Sequence, residues 1–266
     1  MKRTTLLAGL MLLLAGHALA APPPPEALPD WSGVWALTGG TLFDRATAEP
    51  FDGQSGAPGV REHPPYNAEW EKKYLDNIEK VRRDIYPDPN QLCGLPTGFP
   101  RIFNMPEATE FVLRPEETWL MTEIGPNVIR VYTDGRGHPP ADELFPTYGG
   151  DNVGHWEGDT LVFDTVGVKG DGHQLVDRTG VVTSDKLHAV TRMRLAGKDF
   201  IEIRMTLDDP VAFTGPWNVV KVFRRMPPGT KAFEYACAEN NRNPVDAEGY
   251  TLMMGPDGRR VSKERR

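Results

Sequence analysis

The sequence has only two cysteines in 266 residues and no proline between Tyr148 and Asp209. It has no apolar run approaching the ~20 residues of a membrane span. Gly-x-Ser-x-Gly, a P-loop, a dinucleotide fingerprint and His-Glu-x-x-His are all missing. So is any alternation of strands and helices, which disfavours Rossmann and TIM architectures. The net charge is −7, and no basic face carries interleaved aromatics. No nucleic-acid partner and no integral membrane span are therefore expected. Gly 27 and Pro 25 make up about a fifth of the chain, too little for wholesale disorder or collagen.

What is present begins with an export signal. Lys2 and Arg3 precede the short apolar stretch Leu6 to Gly16, and Ala18-Leu19-Ala20 fits a cleavage site. Residues 1–20 are read as a signal peptide, and the protein as periplasmic or secreted. An oxidising compartment then makes Cys93 and Cys237 a candidate disulfide. It would close a loop of 144 residues, an effect on the order of 4–5 kcal/mol in the chain-entropy model. No histidine lies near either cysteine, which argues against a thiol nucleophile.

The mature chain divides by pattern. Residues 21–108 read as an extended Pro-rich leader, a first strand, a long loop, one helix and an arm. Thirteen of the 25 prolines fall in residues 21–100. The helix is expected over Asn67 to Ile85, where Trp70, Tyr74, Ile78, Val81 and Ile85 form one apolar stripe. Asn67 can cap it and Pro87 follows it.

Residues 109–250 read as a β core. Short apolar runs from Glu110, Thr118, Val128, Gly154, Thr160, Leu187, Phe200 and Asn218 are separated by turn signals such as Gly125-Pro126-Asn127 and Ala196-Gly197-Lys198-Asp199. This spacing predicts a mainly β fold, an antiparallel barrel or sandwich. Residues 21–250 are taken as one domain, and 251–266 as a basic tail carrying Arg259, Arg260, Lys263, Arg265 and Arg266.

Three segments carry candidate chemistry. Asp134-Gly135-Arg136-Gly137-His138 sets an acid, a guanidinium and an imidazole within five residues at a strand end. Arg136 can bind an anion there, or simply pair with Asp134. Trp156-Glu157-Gly158-Asp159 suits a hairpin turn with solvated acids. In the strand from Leu187, His188, Arg192 and Arg194 share one face, while Ala189, Thr191 and Met193 share the other. Asp164 and Glu202 can join the polar face. If that face is outside, these are cross-strand ion pairs. If it lines a cavity, Asp164, His188, Arg192 and Glu202 form an acid–base pocket. The four histidines at 138, 155, 173 and 188 lack ligand spacing, so no metal and no cofactor are assigned.

Gly33-Val34-Trp35 resembles the Gly-x-Trp of lipocalin barrels, where the Trp plugs one end. A wider resemblance covers nearly the whole mature chain. It rests on Asp30-Trp-Ser-Gly-Val-Trp35, Pro64-Pro-Tyr-Asn67, Cys93-Gly-Leu-Pro-Thr-Gly-Phe-Pro100, Tyr132-Thr-Asp-Gly-Arg-Gly-His-Pro139, Gly154-His-Trp-Glu-Gly-Asp-Thr-Leu161, Ser184-Asp-Lys-Leu-His188 and Asp209-Pro-Val-Ala-Phe-Thr-Gly-Pro-Trp217. Together these resemble a family of exported bacterial proteins. The resemblance implies a β-rich, lipocalin- or calycin-like domain; it carries no activity and no catalytic residue. The chain departs from that family's pattern at Val182-Thr183-Ser184, usually Pro-His-Ser, and at Thr191-Arg192, usually Glu-Arg.

The expected function is a cofactor-independent acid–base enzyme of isomerase, lyase or hydratase type, acting on a small, partly apolar organic molecule. His138 or His188 would move the proton. Arg136 or Arg192 would stabilise developing negative charge. Asp134 or Asp164 would orient the imidazole. Two other readings stay open: a binding protein of the same fold without turnover, and a structural or metal-binding envelope protein.

Overall fold

A computed structural model describes residues 22–46, 51–53, 59–83, 85–86, 88, 97–124, 128–235, 247, 251–252 and 259. The signal segment 1–20, Cys93, Cys237, the turn at 125–127 and nearly all of the basic tail lie outside the described residues.

In chain order the elements are β1 (Val34–Thr38), β2 (Asp44–Arg45), α1 (Ala68–Arg82), β3 (Ile85–Tyr86), β4 (Thr109–Leu113), β5 (Glu117–Thr122), β6 (Val128–Tyr132), β7 (Asp151–Glu157), β8 (Thr160–Val166), β9 (His188–Leu195), β10 (Phe200–Asp208), β11 (Trp217–Arg225) and β12 (Thr251–Leu252). Strands β1 and β4 to β11 follow one another in the sheet, and β1 also pairs with β11, so nine strands close into a barrel. The mainly β barrel bears out the barrel expected from turn spacing, the single helix the one expected from its apolar stripe, and the fold is consistent with the lipocalin-like domain that the resemblance implies. One pairing departs from the antiparallel pattern: β6 and β7 run parallel at Tyr132 and Val153. Parallel neighbours need a crossover rather than a hairpin, and residues 133–150 supply it.

The alternation in each strand decides which side is in. Leu161 and Phe163 on β8, Ala189, Thr191 and Met193 on β9, and Ile201, Ile203, Met205 and Leu207 on β10 are at most 2% exposed. All but Thr191 meet Trp35, Phe111, Leu120, Val131 and Phe223 in one apolar cluster in the interior. The polar face of β9, with His188, Arg192 and Arg194, is therefore the outer face.

Trp35 is fully buried, and the Arg225 guanidinium lies 4.3 Å from its ring centre. Arg225 also donates to the carbonyls of Asp30 and Ser32, tying the leader to the end of β11.

Helix α1 starts where Asn67 accepts from the amides of Glu69 and Trp70, both at 3.1 Å. Its apolar stripe packs with Trp70 buried and Tyr74, Ile78 and Val81 half-buried. The helix ends at Arg82, not at Ile85 as the stripe suggested. Ile85 and Tyr86 instead form β3, paired with Thr251 and Leu252. Tyr86 precedes Pro87, which disfavours helical backbone at Tyr86. The segment read as a tail thus begins with a strand.

Two of the buried charges, Lys221 and Glu202, brace the barrel wall. Lys221 faces inward on β11, fully buried, at the residue where β11 passes from pairing with β2 to pairing with β1. Its Nζ donates to the carbonyls of Gly40 and Leu42, both at 2.7 Å. On the outer face Glu202 is 1% exposed, beneath the segment around Phe51. It accepts from the Phe51 amide and pairs with Arg194 at 3.1 Å and Arg204 at 3.2 Å. Phe51 packs on Ala196, Val222 and Phe200.

Candidate active site

Three neighbouring strands set the frame. Val153 on β7 and Val190 on β9 lie opposite Asp164 on β8. Asp151 and His188 each sit two residues from those partners, so they lie diagonal to Asp164 on the same outer face, a separation long side chains can span. The crossover between β6 and β7 then brings His138 over this wall.

The result is a continuous chain of contacts. His138 Nδ1 lies 2.5 Å from Asp151 Oδ1, and His138 Nε2 lies 3.0 Å from Asp164 Oδ1. The other oxygen of Asp164 lies 2.7 Å from His188 Nε2. The four side chains are 25–44% exposed. Two carboxylates on one imidazole leave a proton two arrangements: N–H on both nitrogens, or N–H on one with a carboxyl O–H facing the other. The chain Asp151–His138–Asp164–His188 can thus pass a proton along its length.

Among the residues expected from sequence, His138, Asp164 and His188 come together here. Asp134, Arg136 and Arg192 are engaged elsewhere. Arg136 grips Asp134 with contacts of 2.6 to 3.0 Å and lies 3.9 Å above the Tyr132 ring. The hydrogen bond from Arg136 holds the Asp134 carboxyl below its usual range, and the same bond raises Arg136. Arg192 donates to Glu157 at 2.6 Å, and His155 reaches the other Glu157 oxygen at 3.2 Å. Those two contacts, Arg192 first, lower the Glu157 carboxyl. Glu202 is held by its two arginines under Phe51. The polar face is the outside of the barrel, as the ion-pair reading had it, yet the crossover covers part of it and adds an imidazole.

Asp151 was not among the candidates. Tyr148-Gly149-Gly150-Asp151 reads as turn chemistry, so the strand was expected to start at Gly154. The available signal was alternation: extending β7 back by three residues puts Asp151 on the face of Val153 and His155.

A cleft of about 410 Å³ adjoins the chain of contacts. Asp151 lines it, with Tyr132, Phe145, Tyr148, Gly149, Gly150 and Lys169 among its other walls. A Cβ at Gly150 would lie 2.8 Å from Thr165 Cγ2 and 2.9 Å from the Val166 carbonyl, and φ there is +73°. Glycine is therefore required at the residue that delivers Asp151 to the cleft. A second hollow of about 520 Å³, lined by Trp70, His173, Ser184 and Val211, shares Phe145, Pro146 and Lys169 with the first.

Among the described residues no three His, Cys, Asp or Glu side chains are grouped to hold a metal ion. No helix among them is long and apolar enough to cross a membrane. Compared with models of known families and with curated proteins, the chain matches none.

Proposed function

We propose that the protein is an exported acid–base enzyme that moves a proton on a small, partly apolar organic molecule bound in the cleft beside Asp151. The observation that carries this is the contact chain Asp151–His138–Asp164–His188, with one end at the cleft and the other on the exposed wall. Asp151 takes a proton from carbon next to a carbonyl. His138 holds Asp151 in place and relays the proton to Asp164 and His188. Return of a proton to a different carbon gives an isomerisation; loss of a leaving group from the neighbouring carbon gives an elimination. General acid–base assistance of this kind supplies ~10²–10⁴-fold.

The apolar side chains that β8, β9 and β10 turn inward support a ligand site on the outer wall rather than inside the barrel. This speaks against a lipocalin-type binder that carries its ligand inside. A bridge between Cys93 and Cys237 belongs to the same proposal of an exported protein.

The test is proton exchange in deuterated buffer with a library of small carbonyl compounds, read by NMR. Deuterium uptake at carbon that is lost in Asp151→Asn and His138→Ala supports the proposal. Uptake indifferent to both variants, or none across the library, counts against it.

A further inference from the structure

Among the described residues Lys169 is a cation without a counter-ion. It follows β8 and lines both the cleft at Asp151 and the neighbouring hollow. Its Nζ lies 4.9 Å from the centre of the Tyr148 ring, and no carboxylate among the described residues pairs with it. The charges around it are already committed. Asp171 pairs with Lys73 at 3.1 Å, Asp185 with Lys186 at 3.5 Å, and Asp151 with His138. Arg130, on the cleft's other wall, lies 4.0 Å from Glu117 and 5.4 Å from the Trp119 ring. Arg136 is consumed by Asp134. One ammonium is thus left facing the cleft of a protein whose net charge is −7.

The rest of the wall is aromatic. Tyr132 and Tyr148 are half-buried, and Phe145 is 81% exposed on the ridge between the two hollows. An exposed phenylalanine beside an unpaired lysine matches a ligand with a flat apolar body and an anionic end. The cleft volume falls within the ~300–1,000 Å³ of small-molecule sites.

We infer that the cleft takes a small aromatic carboxylate, whose carboxylate is held by Lys169 and whose ring lies among Tyr132, Phe145 and Tyr148. This places its acidic carbon towards Asp151, and in naming a substrate it rests on the acid–base reading above. Lys169 also explains how an anion can approach a carboxylate base: the ammonium offsets the repulsion at the far end of the cleft.

The experiment uses phenylacetate and its neutral isostere phenylacetamide. Binding is followed by amide chemical-shift changes on the full-length protein. Phenylacetate shifts the amides of residues 145, 147–152 and 169 saturably, and phenylacetamide binds ~10-fold or more weakly. Lys169→Met loses ~10-fold for phenylacetate and nothing for the amide, whereas Lys169→Arg keeps the preference. Higher salt narrows the gap between the two probes. Equal binding of both probes, an indifferent Lys169→Met, or no saturable binding up to about 10 mM overturns the inference. Those outcomes leave the proton relay standing. Selective carboxylate binding alongside proton exchange that is indifferent to Asp151→Asn does the reverse.

Discussion

His138 stands 2.5 Å from Asp151 through Nδ1, closer than its 3.0 Å contact with Asp164 through Nε2. The imidazole comes from the crossover and the carboxylate from the first residue of β7. The contact therefore pins a loop to a strand and, in the same stroke, sets the ring between cleft and outer wall. Asp151 thus anchors the loop and also lines the cleft.

Asp164 joins the two imidazoles with one oxygen each. Asp164→Asn leaves a single acceptor oxygen and breaks the bridge on one side. Turnover is expected to fall by about 100-fold or more, with little change in thermal midpoint, because the side chain is 38% exposed. Steady-state kinetics alongside a melting curve checks this. A large loss of midpoint with unchanged turnover per folded molecule would make Asp164 structural.

Lys221 links stability to alkaline pH. Burial pushes its ammonium down from 10.5 to about 8, against the pull of Asp44 at 3.7 Å. Burial also raises the Asp44 carboxyl, so desolvation outweighs the attraction on both partners. With the folded value below the unfolded one, the unfolded chain binds more protons between about pH 8 and pH 10.5. Stability from this group therefore rises with pH across that window, by roughly 3 kcal/mol in full. Urea denaturation at several pH values should show the slope in the native protein and lose it in Lys221→Met.

Glu202 is buried between Arg194 and Arg204. Glu202→Leu removes the carboxylate that Arg194 and Arg204 share and the acceptor of the Phe51 amide, at a cost of about 3 kcal/mol. Hydrogen exchange should show the Phe51 amide protected in the native protein and unprotected in the variant. Protection that survives would mean that packing on Ala196 and Phe200 alone holds the segment.

The Tyr66 hydroxyl donates to the Val182 carbonyl at 2.7 Å and accepts from the Val182 amide at 2.9 Å. Burial pushes its ionisation up. Tyr66→Phe leaves both backbone groups without that partner and should cost about 1–3 kcal/mol. Chemical denaturation measures it, and a change below the error of the method would show that water replaces the hydroxyl.

The barrel strands were legible because inward apolar residues alternate with polar ones over turn-bounded runs. Ala189, Thr191 and Met193 against His188, Val190 and Arg192 is the plainest case. Alternation alone left open which face was inside; closure of β1 on β11 decides it, because an enclosed interior must take the apolar set. The parallel pairing of β6 with β7 was not legible, since a crossover leaves no periodic mark. Three of the four side chains of the contact chain were legible in the sequence. Asp164 and His188 could be placed on one face by counting, and His138 could be singled out by its turn. That the turn folds back over β8, and that Gly149-Gly150 delivers Asp151 beneath it, depends on contacts between segments far apart in sequence.

The parallel step in the barrel separates what must stay constant from what can change. The crossover 133–150 leaves from β6 and returns to the adjoining β7, so its length is not tied to closure of the nine strands. Doubling such a loop costs only about 0.6 kcal/mol in closure entropy. His138, Phe145 and Tyr148 ride on that crossover, whereas Asp164 and His188 belong to the wall. A descendant of this chain can therefore reshape the cleft by rewriting one segment, and inherit the contact between Asp164 and His188 on the wall unaltered.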